Sequence, residues 1–178
     1  QTTWNTAVGD EAGKNITTGV QNTLIGGNAG DATTTGEKNT AVGYASLTSN
    51  VFGAYSTAIG VGALESQAPA DGSHSVYNTA VGMQAGNSIT TGHGHTLIGA
   101  RAGDAITTSL DNTALGMSAL SAETTGSYNT ALGRDALASQ DGGTHNTAVG
   151  RNAGVLVTTG NNNTLIGGLA GDAIRTGS

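Results

Sequence analysis

At 178 residues the chain has room for one domain of ordinary size. Its composition (30 Gly, one Pro, no Cys, 3% aromatic, 10% charged) excludes a thick globular core and a disulfide framework. A formal net charge of −6 with only six Lys and Arg argues against a nucleic-acid partner, and no apolar run approaches a membrane span.

In chain order, Gln1 to Trp4 read as the tail of a preceding coil. No signal peptide is legible at Gln1, so the chain reads as mature, processed or an excised piece. Asn5-Thr6-Ala7-Val8-Gly9 then opens a pattern that recurs from Asn22, Asn39, Ser56, Asn78, His95, Asn112, Asn129, Asn146 and Asn163. Every step is 17 residues except one of 22, between Ser56 and Asn78. A fixed period of this length marks a solenoid. Counting each start as position 1, position 2 is always Thr, position 4 is always Val, Ile or Leu, and position 5 is always Gly. β-Branched residues set between glycines predict short strands joined by turns, and the glycine density disfavours helix.

Strand side chains alternate, so positions 2 and 4 share a face. The aliphatics at position 4 are expected to form the core column: Val8, Ile25, Val42, Ile59, Val81, Ile98, Leu115, Leu132, Val149 and Ile166. Position 5 is expected to be a corner that tolerates only Gly. Position 8, Ala in nine coils and Ser46 in the third, is a further small inward candidate. A slower rhythm lies on top: position 9 runs Gly, Gly, Leu, Leu, and position 3 is Ala except at Leu24, Leu97 and Leu165. The array thus repeats in blocks of four coils, small residues at one position accompanying large ones at another. The five extra residues of the fourth coil fall between Ser66 and Val76, around Pro69-Ala70-Asp71-Gly72, and predict a loop extruded from one corner.

The Asn-Thr-Ala-Val-Gly and Asn-Thr-Leu-Ile-Gly copies resemble repeats of phage tail-fibre proteins and bacterial surface proteins. They are also similar to the head repeats of trimeric autotransporter adhesins. The resemblance covers essentially the whole chain. It implies a left-handed parallel β-roll, commonly a homotrimer, in an extracellular, cell-surface or virion setting.

Few residues suggest chemistry. Asp31, Asp104 and Asp172 share one repeat position and invite a calcium ladder. At about 4.8 Å per coil they lie roughly 19 Å apart, too far to share an ion. His93 and His95 are a pair without a third ligand, a weak metal signal, and His95 stands where Asn is usual. No acid–base pair or nucleophile stands out. The Asn column at position 1 is expected to hydrogen-bond coil to coil. Position 2 gives one Thr column, and Thr17-Thr18, Thr34-Thr35, Thr90-Thr91, Thr107-Thr108, Thr124-Thr125 and Thr158-Thr159 give a partial second. Asn15 and Asn162 fit the N-glycosylation triplet, which arises easily in an Asn- and Thr-rich chain.

The sequence therefore predicts an all-β protein. It is read as a single parallel β-solenoid domain over residues 1–178, of about ten 17-residue coils with an insertion near 66–76. The expected role is structural and not enzymatic, without cofactor, metal or membrane insertion. The chain would be a segment or subunit of an extracellular filament, tail fibre or adhesin that self-assembles head to tail or as a trimer, with cell-surface glycans as possible ligands. The alternative is a carbohydrate- or ice-binding module.

Overall fold

The computed structural model describes residues 3–70 and 75–177. Ten strands of three residues form one parallel sheet in chain order: β1 (Thr6–Val8), β2 (Thr23–Ile25), β3 (Thr40–Val42), β4 (Thr57–Ile59), β5 (Thr79–Val81), β6 (Thr96–Ile98), β7 (Thr113–Leu115), β8 (Thr130–Leu132), β9 (Thr147–Val149) and β10 (Thr164–Ile166). The chain is a parallel β-solenoid with one strand per coil, and the rest of each coil is turn, bend and irregular backbone, with isolated bridges between Ala54 and Ser75 and between His93 and Leu110. Thr pairs with Thr at every step, including Thr57 with Thr79 across the longer coil. The solenoid therefore keeps register through the insertion. The flanks of that insertion fold inward: Gln67, Pro69 and Val76 are buried, and a Cβ on Gly53 would touch both Pro69 and Val76 at 3.0 Å. Asp71 and Gly72, part of the expected turn, lie outside the described residues.

The turns are made by left-handed backbone. Positions 7 and 9, and the residue just before each position 1, all have φ between 48° and 76°. Position 5 is different, with φ from 125° to 140° in all ten glycines. There the chain also runs against its neighbour, since a Cβ on Gly43 would lie 2.6 Å from the carbonyl oxygen of Gly60. Both the conformation and the contact demand glycine, as expected for that corner.

The interior reverses the expected strand parity. Position 3 is the inward one: Leu24, Ala41, Ala58, Ala80, Leu97, Ala114, Ala131 and Ala148 are all fully buried. The proposed core column at position 4 faces out. Val8, Ile25, Ile59, Ile98, Leu115 and Ile166 are exposed, and Val42, Val81, Leu132 and Val149 are half-buried. The physical reason is thickness. Opposite the strand lie the buried Ala or Ser of position 8 and the inward groups of positions 9 and 12, so most coils have room only for Ala at position 3.

Leucine enters position 3 only where position 9 is glycine. Leu24 fills the space where a Cβ on Gly13 or Gly30 would stand, within 2.7 and 2.8 Å of its methyls. Leu97 does the same over Gly86 and Gly103, and Leu165 over Gly154 and Gly171. In the other coils Leu47, Leu64, Leu120 and Leu137 occupy position 9, fully buried although their φ is 50° to 55°. Left-handed backbone costs a bulky residue about 1–2 kcal/mol. Burying a leucine returns about 1.5–3 kcal/mol, so the strain is tolerated.

Position 12 completes the core. Where position 9 is Gly it is Ile16, Thr33, Ile89, Ile106, Val157 or Ile174. Where position 9 is Leu it is polar yet fully buried: Asn50, Gln67, Glu123 and Gln140.

Candidate functional site

Two columns of side chains need separating, one that binds the solenoid together and one that is offered outward. The first is position 1. The Oδ1 of Asn5 accepts the main-chain N–H of Asn22 at 2.8 Å, while its Nδ2 donates to the Gly19 carbonyl at 2.8 Å. Asn22, Asn39, Asn112, Asn129 and Asn146 repeat both bonds, one to the next coil and one within their own. This is the expected coil-to-coil ladder, and it is buried along most of its length.

Its two substitutions are accommodated by different means. Ser56 is too short to reach, and Gln67 comes in beside it: Gln67 Nε2 donates to Ser56 Oγ at 3.0 Å, and Asn78 Nδ2 donates to Gln67 Oε1 at 3.0 Å. His95 reaches unaided. Its Nε2 lies 3.0 Å from the Ser109 carbonyl and its Nδ1 accepts the N–H of Asn112. His93 is exposed while His95 is buried, so the two do not converge on a metal.

Glu123 is a second buried polar centre. It accepts main-chain N–H bonds from Thr125 and Gly142 at 3.1 and 2.9 Å and a third from Gly126, and Gln140 Nε2 donates to its other oxygen at 3.0 Å. With four donors and no cation beside it among the described residues, this carboxylate locks a corner instead of presenting itself for chemistry.

The outward column is the solvent face of the sheet. Each strand presents Thr at position 2 and Val, Ile or Leu at position 4, repeated ten times in register. Along the solenoid that is about 43 Å, nine steps of about 4.8 Å. None of the ten Thr hydroxyls makes a hydrogen bond within the described residues. The Thr hydroxyls of position 13 differ, for those of Thr17, Thr34, Thr90 and Thr107 each meet a carbonyl of the following coil. Beside the face, Tyr55 and Tyr77 stack at 5.2 Å between ring centres, with Lys38 Nζ 4.8 Å above Tyr55, and Tyr128 lies against His145.

Asp31, Asp104 and Asp172 stay apart in separate coils, Asp104 paired with Arg101 at 3.0 Å. Among the described residues no group of three or more His, Asp or Glu is placed to hold a metal, and no pocket opens. Asn15 and Asn162 are both exposed, Asn15 Nδ2 bonding the Asp31 carbonyl at 2.8 Å. The outward Thr and aliphatic face was missed in the sequence because position 4 was assigned inward. The signal that could have found it is position 3, where Leu24, Leu97 and Leu165 appear only in coils with Gly at position 9.

The chain matches no protein-family model, no curated protein and no solved structure.

Proposed function

We propose that the chain is a structural segment of an extracellular fibre whose coils are continued by those of a second copy, head to tail. The observation that carries this reading is the direction of its bonding. The sheet, the Asn ladder and the glycine corner all run along the solenoid axis, and each coil offers the next the same donors and acceptors. Such a stack has no intrinsic stopping point.

The outermost described coils show what a further coil would cover. Inward Ala7 is exposed at one end, and Leu165 is only half-buried at the other, whereas Leu97, its equivalent inside, is fully buried. Among the described residues β1 and β10 each pair on one side, and strand addition by a further coil would satisfy the other. A copy placed in register would cover Leu165 and continue the Thr, Gly and Asn columns.

Sedimentation and negative-stain imaging of the purified chain test this. Rods that lengthen with concentration are expected, and Leu165→Asp is expected to shorten them. A monomer at high concentration, or a closed trimer without axial growth, would overturn it.

A further inference from the structure

We propose that the outer face of the sheet is an ice-binding surface, its ligand being ordered water in a crystal lattice. The site is the double column of position-2 threonines and position-4 aliphatics, running from Thr6 and Val8 to Thr164 and Ile166.

Charge is the first argument. The chain carries six Lys and Arg and twelve Asp and Glu, yet none occupies any of the thirty strand positions. Exposed sheet faces ordinarily carry charges that keep them soluble and unpaired. An ammonium or carboxylate holds its own hydration shell and would disrupt a lattice laid against it. The uncharged face complements an uncharged, hydrogen-bonding ligand.

The second argument is the free hydroxyls. Ten Thr Oγ1 groups stand in one row without a partner among the described residues, at the coil repeat of about 4.8 Å. Each can donate one hydrogen bond and accept others. The aliphatic beside each Thr presents methyl groups around which water must arrange without bonding to the protein. A ligand with its own translational repeat can meet every rung alike.

Other occupants fit less well. Two copies packed face to face would dehydrate ten hydroxyls on each side, which is costly unless every one finds a partner. Sugar rings favour aromatic platforms, and no strand carries an aromatic residue, the exposed Tyr55, Tyr77 and Tyr128 lying beside the face and not on it. The second Thr column is a poorer candidate, since Phe52 and Gly142 interrupt it and much of it already bonds the next coil.

The test is thermal hysteresis and adsorption of the fluorescently labelled full chain to a single ice crystal. The wild-type protein is expected to adsorb and to open a freezing–melting gap. Thr113→Tyr, at the centre of the face, is expected to abolish both while circular dichroism stays unchanged. Thr108→Tyr, an exposed threonine of the turn segment, is expected to keep both. If Thr113→Tyr disturbs the fold, the isosteric pair Thr96→Val and Thr113→Val gives the reading, with a reduced gap expected. Absence of adsorption by the wild type, or equal loss in Thr108→Tyr, would overturn the proposal. So would a side-by-side dimer dispersed by Thr113→Tyr without ice adsorption, or retention on crystalline polysaccharide alone. Axial polymerisation does not enter these readouts, so this proposal and the fibre reading fail separately.

Discussion

His95 Nδ1 accepts the main-chain N–H of Asn112 at 3.2 Å, taking the place that an asparagine Oδ1 holds in neighbouring coils. With Nε2 directed at the Ser109 carbonyl, the ring acts as an amide: one acceptor toward the next coil, one donor toward its own. Both bonds require the neutral ring with its proton on Nε2.

A pH dependence follows. Burial lowers the His95 pKa from 6.5 to about 4, against the opposing pull of the Ser109 carbonyl and Asp111. The unfolded chain therefore binds a proton in the window between these values while the folded chain does not. Stability is complete above about pH 6.5 and is lost as pH falls toward 4, by up to about 3 kcal/mol from this residue. His95→Asn should flatten that part of the profile. Denaturation midpoints of the two proteins from pH 7 to pH 4 check this, and parallel profiles would refute it.

Leu97 and Ile98 should respond oppositely to truncation. Leu97 is fully buried over Gly86 and Gly103, whereas Ile98 is 37% exposed. Leu97→Ala is expected to cost about 2–5 kcal/mol. Ile98→Asp is expected to leave the solenoid folded, and Leu97→Asp is expected to unfold the coils around it, because an unpaired charge is costly in so thin a core. Circular dichroism melts distinguish the cases.

Gly103 and Leu97 should be coupled. A Cβ on Gly103 would lie 2.9 Å from Leu97 Cδ2 and 2.7 Å from Ile106 Cδ1, on backbone with φ of 56°. Gly103→Ala is expected to destabilise by about 1–3 kcal/mol. Combined with Leu97→Ala it should cost less than the sum of the two, because the shorter side chain makes room. Strict additivity in urea titrations would show that the two do not share one space.

Glu123→Gln should be more damaging than its near-identical shape suggests. The carboxylate accepts from three main-chain N–H groups and from Gln140. An amide would turn an NH2 toward one of these donors and leave buried groups unpaired, at about 1–3 kcal/mol. Urea denaturation measures it, and an unchanged midpoint would mean that water replaces the lost acceptor.

The period, the glycine corner and the Asn ladder could be read from the sequence because each is set by one residue in one place. Gly9 and its equivalents meet a backbone that admits no side chain, and Asn5 makes bonds that only a short amide, or His95 in disguise, can reproduce. The inside and outside of the strand could not be settled by size. Ile98 is larger than Ala114, yet Ala114 is buried and Ile98 is not. In a cross-section this narrow the inward residue is the one that fits, and fit depends on residues six and nine places further along the coil. The polar residues at position 12 were passed over for the same reason: Asn50 and Gln140 look like surface residues until Leu47 and Leu137 are seen to fill the space beside them.

The interlock of Leu24 with Gly13 and Gly30, and its recurrence at Leu97 and Leu165, gives the molecule a graduation. Any coil can pair its main chain with any other, but its side chains mesh fully only with the neighbours of its own place in the cycle of four, so a junction of Leu165 with Ala7 and Gly13 of a second copy would be held by the main chain and the Asn ladder and not by that mesh. Removing one coil would bring unlike rungs into contact, while removing four would restore the same junction. A molecule built so is a measuring stick marked every four coils, about 19 Å, and its length can be altered without repacking only by whole divisions of that scale.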